Sequence, residues 1–313
     1  MRSLSLTIAL WAAVCVSVVW VMPAQAESTA MKAQQVAPHT WYVQGESALG
    51  SAANRNFISN AGFVITPAGV VVVDALGSPA LAQELIKLIA QRTSEPITHV
   101  LLTHYHADHI YGLQAFKGAQ IWAHEAGRPY INSENAQSRL ASSRETMFPW
   151  IDETTRLVPA TRWLKARTEL VVGGVKFVLQ PMGPAHTPED LVVHVPSEGV
   201  LFSGDLIFRG RVPFVGNANS KQWLVALDTM LSLDARVMVP GHGPASMQAR
   251  QDMLLTRDYL AYVRQAMGQA AKDMVPFEEA YAQTDWRAFE HLPLFKSANR
   301  INAYNTYLEM ERE

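Results

Sequence analysis

Apolar and polar positions along the chain sort into two kinds of rhythm. "GFVIT" (62–66) and "GVVVVDA" (69–75) are β-rich runs parted by Pro67-Ala68, and they predict a hairpin in a buried sheet. "SPALAQELIKLIAQR" (78–92) has helical spacing, with Ser78 placed to cap it and Pro79 at its first turn. A strand, "ITHVLLT" (97–103), a short helix over about 109–116 and a strand, "AQIWAHE" (119–125), follow. This strand–helix–strand order argues for α/β layering. Residues 125–168 are irregular, aromatic and punctuated by proline, which fits either a helix pair or lid, or an ordinary surface excursion. The β pattern returns in "TELVVGG", "VKFVLQP", "DLVVHVP" and "GVLFSGD", with turns at Gly173-Gly174 and Ser197-Glu198-Gly199. A helix over 222–233, a strand in "ARVMVPGHG", a helix over 244–271 and a helical tail over 277–313 complete the chain. Two β-rich halves, about 56–124 and 168–242, stand out, and no short repeat does.

The first residues follow neither rhythm. Met1 and Arg2 precede "LSLTIALWAAVCVSVVWVM" and then "PAQAES", which reads as an export signal cut after Ala26. An uncleaved anchor is the rival, because the apolar run is nearly long enough to span a bilayer. Either reading sends the protein to a periplasm or the cell exterior, and cleavage leaves no stable membrane association. Cys15, the one cysteine, lies inside that segment. A mature chain then has no thiol for a disulfide or a metal.

With 313 residues, 49% hydrophobic and 17% charged, the rest reads as globular with a substantial core. A net charge of −2 leaves no basic footprint for nucleic acid. Chemistry concentrates in "LLTHYHADHIYG". Alternate residues at a strand end point the same way, so His104 and His106 can meet one metal ion. Asp108 and His109 come just past the turn and can converge from another side. His186 in "GPAHTPEDL", Asp205 in "LFSGDL" and His242 in "VPGHGP" each follow an apolar β run and are flanked by Gly or Pro. Taken singly, each could be a turn or cap residue. Four similar strand ends together favour loops gathered at one sheet edge. His39, His99, His124, His194 and His291 read as structural or surface residues.

"THYHADH", "HTPEDL", "SGD" and "PGHG", in that order, resemble the metallo-β-lactamase superfamily over roughly residues 40–245. The resemblance implies an α/β fold, an αββα sandwich with a dinuclear centre at one edge. It divides the chain into a signal peptide (1–26), a metallo-β-lactamase-like domain (27–246) and a helical C-terminal extension (247–313). Carried over residue by residue, it gives His104, His106 and His186 to a first metal and Asp108, His109 and His242 to a second, with Asp205 bridging them. Two divalent ions held by such N and O ligands, about 3.5–4 Å apart, yield hydroxide from a shared water at neutral pH. Asp108 is also placed to orient the nucleophile. Zinc suits the set, and iron or manganese are accepted by the same ligands.

An Asp at 205 resembles the glyoxalase II-like and general hydrolase branches, where thiolate-type lactamases carry Cys. Phe208 stands where those enzymes often place a Lys for the β-lactam carboxylate. Both departures weaken β-lactam hydrolysis as the main activity. Arg209 and Arg211 in "FRGRVPF" are alternatives as substrate-anion clamps or solvated loop residues. The "YNTYLEMERE" tail adds a resemblance to exported metallohydrolases associated with quinoprotein and sulfur-oxidation systems. Lys296, Arg300, Tyr304 and Tyr307 lie at helical spacing, as a binding stripe or as packing plus solvated charge. The expected function is hydrolysis of a small ester, thioester or lactam-like substrate by an exported dizinc enzyme. The alternative is a mononuclear-iron sulfur or persulfide dioxygenase on the same fold. Small molecules, not nucleic acids, are the expected partners.

Overall fold

The computed structural model describes residues 30–313. The export signal expected over 1–26 lies outside them. Within them no helix is long and apolar enough to cross a membrane.

A seven-stranded sheet is built, in spatial order, from β1 (Ala33–Ala37), β2 (Thr40–Val43), β3 (Ala61–Thr66), β4 (Gly69–Val73), β5 (Ile97–Leu101), β6 (Gln120–His124) and β7 (Arg162–Leu164). The first four pair antiparallel and the rest join in parallel. A five-stranded sheet holds β8 (Thr168–Val172), β9 (Val175–Pro181), β10 (Leu191–Val195), β11 (Val200–Phe208) and β12 (Val237–His242), with β12 at one edge and β8 at the other. The helices are α1 (Pro79–Ala90), α2 (Ala107–Ile110), α3 (Arg128–Ile131), α4 (Glu134–Thr146), α5 (Ser220–Met230), α6 (Ala249–Lys272), α7 (Phe277–Gln283) and α8 (Phe295–Met310).

Period-two alternation in β4 produces the layering. Val70 and Val72 pack with Leu81, Leu85 and Ile89 of α1. Val71 and Val73 face the opposite way, into a core shared with Phe177, Leu179, Phe202 and Val239 of the second sheet. The second sheet repeats the device: Leu201 and Met238 pack outward with Trp223 of α5 and Met253 and Leu260 of α6. Helix–sheet–sheet–helix therefore follows from which face each valine or leucine presents. The C-terminal helices complete the outer layer. Asn302 of α8 accepts from Val215 N–H at 2.9 Å and donates to Pro213 carbonyl at 2.6 Å, holding the tail against the loop after β11.

Several sequence expectations shift. The helix expected over 109–116 is α2, starting at Ala107, followed by a separate turn at Leu113–Ala115. The irregular stretch 125–168 contains α3 and α4 and returns as edge strand β7. The helix expected from 244 begins at Ala249, because Ser246 pairs with Met238 through two 2.8 Å backbone hydrogen bonds that hold it against β12 and out of the helix. Asp205, expected after a strand, lies within β11. Gly204 has φ +52 and sits at a register shift against β12, so the strand kinks without ending. In the tail, Tyr307 is buried and its hydroxyl donates to Val275 carbonyl at 3.0 Å. Arg300 pairs with Glu278, so this side of α8 is packing plus surface charge.

Asn60 ties the two sheets where the functional loops gather. Its side-chain amide donates to Pro240 carbonyl at 2.8 Å and Gly243 carbonyl at 2.7 Å, and its Oδ1 accepts Gly45 N–H at 3.1 Å. Asn60 is only 2% exposed, so removing the amide strands those partners out of reach of water. Asn60→Ala is expected to lower unfolding free energy by about 2 kcal/mol or more, read from urea denaturation. A loss within experimental error would show that the loop is held elsewhere.

Candidate metal centre

The C-terminal ends of β4, β5, β9 and β12 meet the kinked middle of β11 on one rim, and each delivers a polar residue there. Two groups of ligand-type atoms form: His104, His106, His186 and Asp205, and Asp108, His109 and His242. His186 Nε2 lies 3.0 Å from His106 Nδ1. Asp205 Oδ2 lies 3.7 Å from His104 Nε2, 3.5 Å from His186 Nε2 and 3.2 Å from His242 Nε2. Asp205 Oδ1 lies 3.1 Å from His109 Nε2. Asp108 Oδ2 is 3.5 Å from His109 Nε2 and 3.4 Å from His242 Nε2. The Asp205 carboxylate thus touches both groups. A side chain at position 241 would place Cβ 2.0 Å from Asp205 Oδ1, so Gly241 leaves the carboxylate its room.

His186 Nε2 with His106 Nδ1, and His242 Nε2 with Asp205 Oδ2, are within hydrogen-bond distance, but other atoms here face one another without pairing. His104 Nε2, His109 Nε2 and Asp205 Oδ1 are buried and lack hydrogen-bond partners, although two of them are 3.1 Å apart. Buried polar groups left unsatisfied are costly and demand an explanation. Lone pairs directed at a common point, with carboxylates among imidazoles and no thiols, are the donor set of a divalent cation. The residues present therefore fit a bound metal ion.

A second layer fixes the imidazoles. Asp74, at the end of β4, accepts from Thr103 N–H and Thr103 hydroxyl at 2.8 Å each, and its Oδ2 lies 2.9 Å from His109 Nδ1. Thr103 Oγ1 is 3.1 Å from His104 Nδ1. His242 Nδ1 lies 2.7 Å from Ile58 carbonyl, leaving its Nε2 to face Asp108 and Asp205. Such contacts set the tautomer and aim the ring. Asp74 was missed in the sequence, where it closes an apolar run and reads as strand end; a charge at the end of a buried strand was the available signal. Glu189, also missed, accepts Tyr105 N–H at 3.1 Å and joins the His186 loop to the His104–His106 turn.

Electrostatics follow the same division. Burial, with neighbouring His109 adding to it, holds His104 well below the usual imidazole value. Burial pushes His186 down to about 3 and lowers His106 as well. Burial opposes charge on His109 too, but the carboxylates of Asp205, Asp108 and Asp74 outweigh it and raise His109 well above the usual value. Asp205 stays ionised: burial opposes this, and His242, His109 and His104 outweigh it.

Of the two arginines singled out in the sequence, Arg209 donates to Asp252 at 2.8 Å and to Ala245 carbonyl at 3.2 Å, tying the end of β11 to α6. Arg211 is buried, with Nη1 3.5 Å from His242 Nδ1.

Residues 54–242 match the metallo-beta-lactamase superfamily, and the chain belongs to it. It is 29% identical over 196 residues to a metallo-beta-lactamase type 2 from Bacillus sp. (strain 170), covering 61% of this chain and 69% of that protein. It is 24% identical over 253 residues to a linear primary-alkylsulfatase from Pseudomonas sp. (strain ATCC 19151), covering 68% of this chain but 47% of that one. Among solved structures, a stereoselective inverting sec-alkylsulfatase from Pseudomonas sp. superposes with a TM-score of 0.71 at 18% identity, over 89% of this chain and 50% of that one. A metallo-beta-lactamase from Pontibacter korlensis gives 0.58 at 21% identity, over 74% and 99%. The protein is a metallohydrolase-superfamily enzyme with a metal-binding site.

Two outcomes follow from this geometry. Asp74→Ala is expected to weaken divalent-metal binding by about 10–100-fold, because His109 loses its orienting partner. Equilibrium dialysis would show it, and unchanged affinity would remove Asp74 from the site. The metal-free protein is expected to lose stability on acidification from the unfolded imidazole value of 6.5 toward about 3. In that window the unfolded chain takes up protons that folded His186, His104 and His106 refuse. A denaturation midpoint constant from pH 7 to pH 4 would contradict it.

Proposed function

We propose that this protein is an exported dinuclear zinc hydrolase that cleaves a small ester, thioester or lactam-like substrate. The observation that carries the reading is Asp205, a buried carboxylate set between two clusters of imidazoles with unpaired ligand atoms. In this reading His104, His106 and His186 hold one ion, Asp108, His109 and His242 hold the other, and Asp205 bridges them. When bound, such a pair supplies hydroxide at neutral pH and Lewis-acid polarisation of the scissile group.

The chain's own residues supply the rest. Asp205 remains charged and places negative charge between two cation positions. Asp74 and the Ile58 carbonyl hold His109 and His242 in fixed orientations. Asp108, whose side chain is 15% exposed against 5% for Asp205, is the carboxylate nearest solvent and is placed to orient an incoming nucleophile. Its Ser59 neighbour donates to Asp108 carbonyl at 2.5 Å and fixes the backbone beneath it.

A second reading, hydrolysis of alkyl sulfate esters, is favoured by one observation. The superposition on the alkylsulfatase takes in 89% of the chain, against 74% for the lactamase. The chain spans about half of that sulfatase, so its activity is only a proposal here.

Purified zinc-loaded protein assayed against thioesters, lactones, β-lactams and primary and secondary alkyl sulfates tests both. Turnover of a carboxylic ester, thioester or lactam that is lost to chelator and restored by zinc supports the first reading. Turnover restricted to sulfate esters supports the second. Asp205→Ala is expected to stay folded and lose at least about two orders of magnitude in kcat/KM, roughly 3 kcal/mol of transition-state stabilisation. Unchanged turnover in that variant would overturn the bridging role.

A further inference from the structure

Arg211 is a buried cation beside one half of the centre and not the other. It is 1% exposed, and its Nε and Nη2 have no hydrogen-bond partner. Its guanidinium lies over the rings of Phe208 and Phe214, at 5.4 and 4.9 Å from their centroids. Nη1 reaches within 3.5 Å of His242 Nδ1, the back of the ring whose Nε2 faces Asp108 and Asp205. Phe208 in turn stacks on His242 at 4.9 Å, with planes 6° apart. The cation is thus packed against His242 by apolar walls that exclude water. The carboxylates whose charge reaches it are Asp205 and Asp108. A cation placed here opposes any second cation drawn to the same carboxylates, with little screening. Among the described residues the other half of the centre has no buried equivalent. Arg139 of α4 faces His106 electrostatically, but it is exposed and solvent screens it.

We propose that Arg211 makes the position formed by Asp108, His109 and His242 the weaker of two metal positions, so that the centre fills in order and its second ion stays exchangeable. This rests on the two-metal reading above. Arg211 acts through charge on His242 and the carboxylates; it is a positioning residue, not a ligand. Neutralising it removes the opposition at the second position and leaves the His104–His106–His186 position nearly unaffected.

Zinc titration of the full chain by equilibrium dialysis, with elemental analysis, tests this without any substrate. The wild-type chain is expected to take two zinc ions with affinities at least about tenfold apart. In Arg211→Gln the second affinity should tighten about tenfold or more while the first moves far less. Arg211→Lys, which keeps the charge, should retain the wild-type spacing. If the Gln variant does not fold, Arg211→Met fills the space between the two phenylalanines and serves as the neutral variant. A second affinity unchanged or weakened in the neutral variant overturns the inference. A wild-type chain that binds no zinc, or only one ion at saturation, overturns the two-metal reading itself and this inference with it.

Discussion

Asp205 is a carboxylate held out of water, and the structure around it is arranged to make that burial tolerable. An ionised carboxylate in a protein interior is costly unless cations or donors surround it. Here imidazoles from three separate segments do so, and they can be gathered only if two sheets present their ends on the same rim. Gly204 kinks β11 so that the next residue points inward, Gly241 leaves space beside the carboxylate, and Asn60 clamps the β12 loop in place. The αββα layering matters to function mainly as the frame that brings these pieces together.

Orientation is the second requirement. An imidazole binds a cation through one nitrogen, and the hydrogen bond at the other decides which one is free. Asp74, Thr103 and the Ile58 carbonyl make that choice for His109, His104 and His242. The outcome is a rim on which His104 Nε2, His109 Nε2 and Asp205 Oδ1 stay unsatisfied, a poor arrangement for an empty polar core and a good one for a metal centre. Arg211 adds an asymmetry that the ligand set alone does not have.

Much of this was legible in the sequence for physical reasons that can be named. His104 and His106 lie two apart after an apolar strand, and the period of a strand puts them on one side. The valine run at 70–73 shows both its faces buried, as a strand sandwiched between layers must. The seven ligand-type residues were named from four motifs, and the structure brings those residues together; which metal each serves remains the proposal made above. Less legible were features set by partners distant in the chain. β1, at the sheet edge, and β2, beside it, are short strands with polar positions, held by pairing rather than by pattern. Asp205 read as a loop residue because a positive φ at Gly204 leaves no mark in composition. Asp74 was hidden by its place at the end of a hydrophobic run. Arg211 reads as an anion clamp or a solvated loop residue, and nothing in the sequence shows that Phe208 and Phe214 enclose it.

The central claim is that Asp205 stands between two metal positions. Anomalous diffraction at the zinc edge, from crystals of the protein grown with zinc, tests it most directly. Two peaks are expected, one among His104, His106 and His186 and one among Asp108, His109 and His242, both within coordination distance of the Asp205 carboxylate. A single peak at saturating zinc, or a peak out of reach of Asp205, would contradict it.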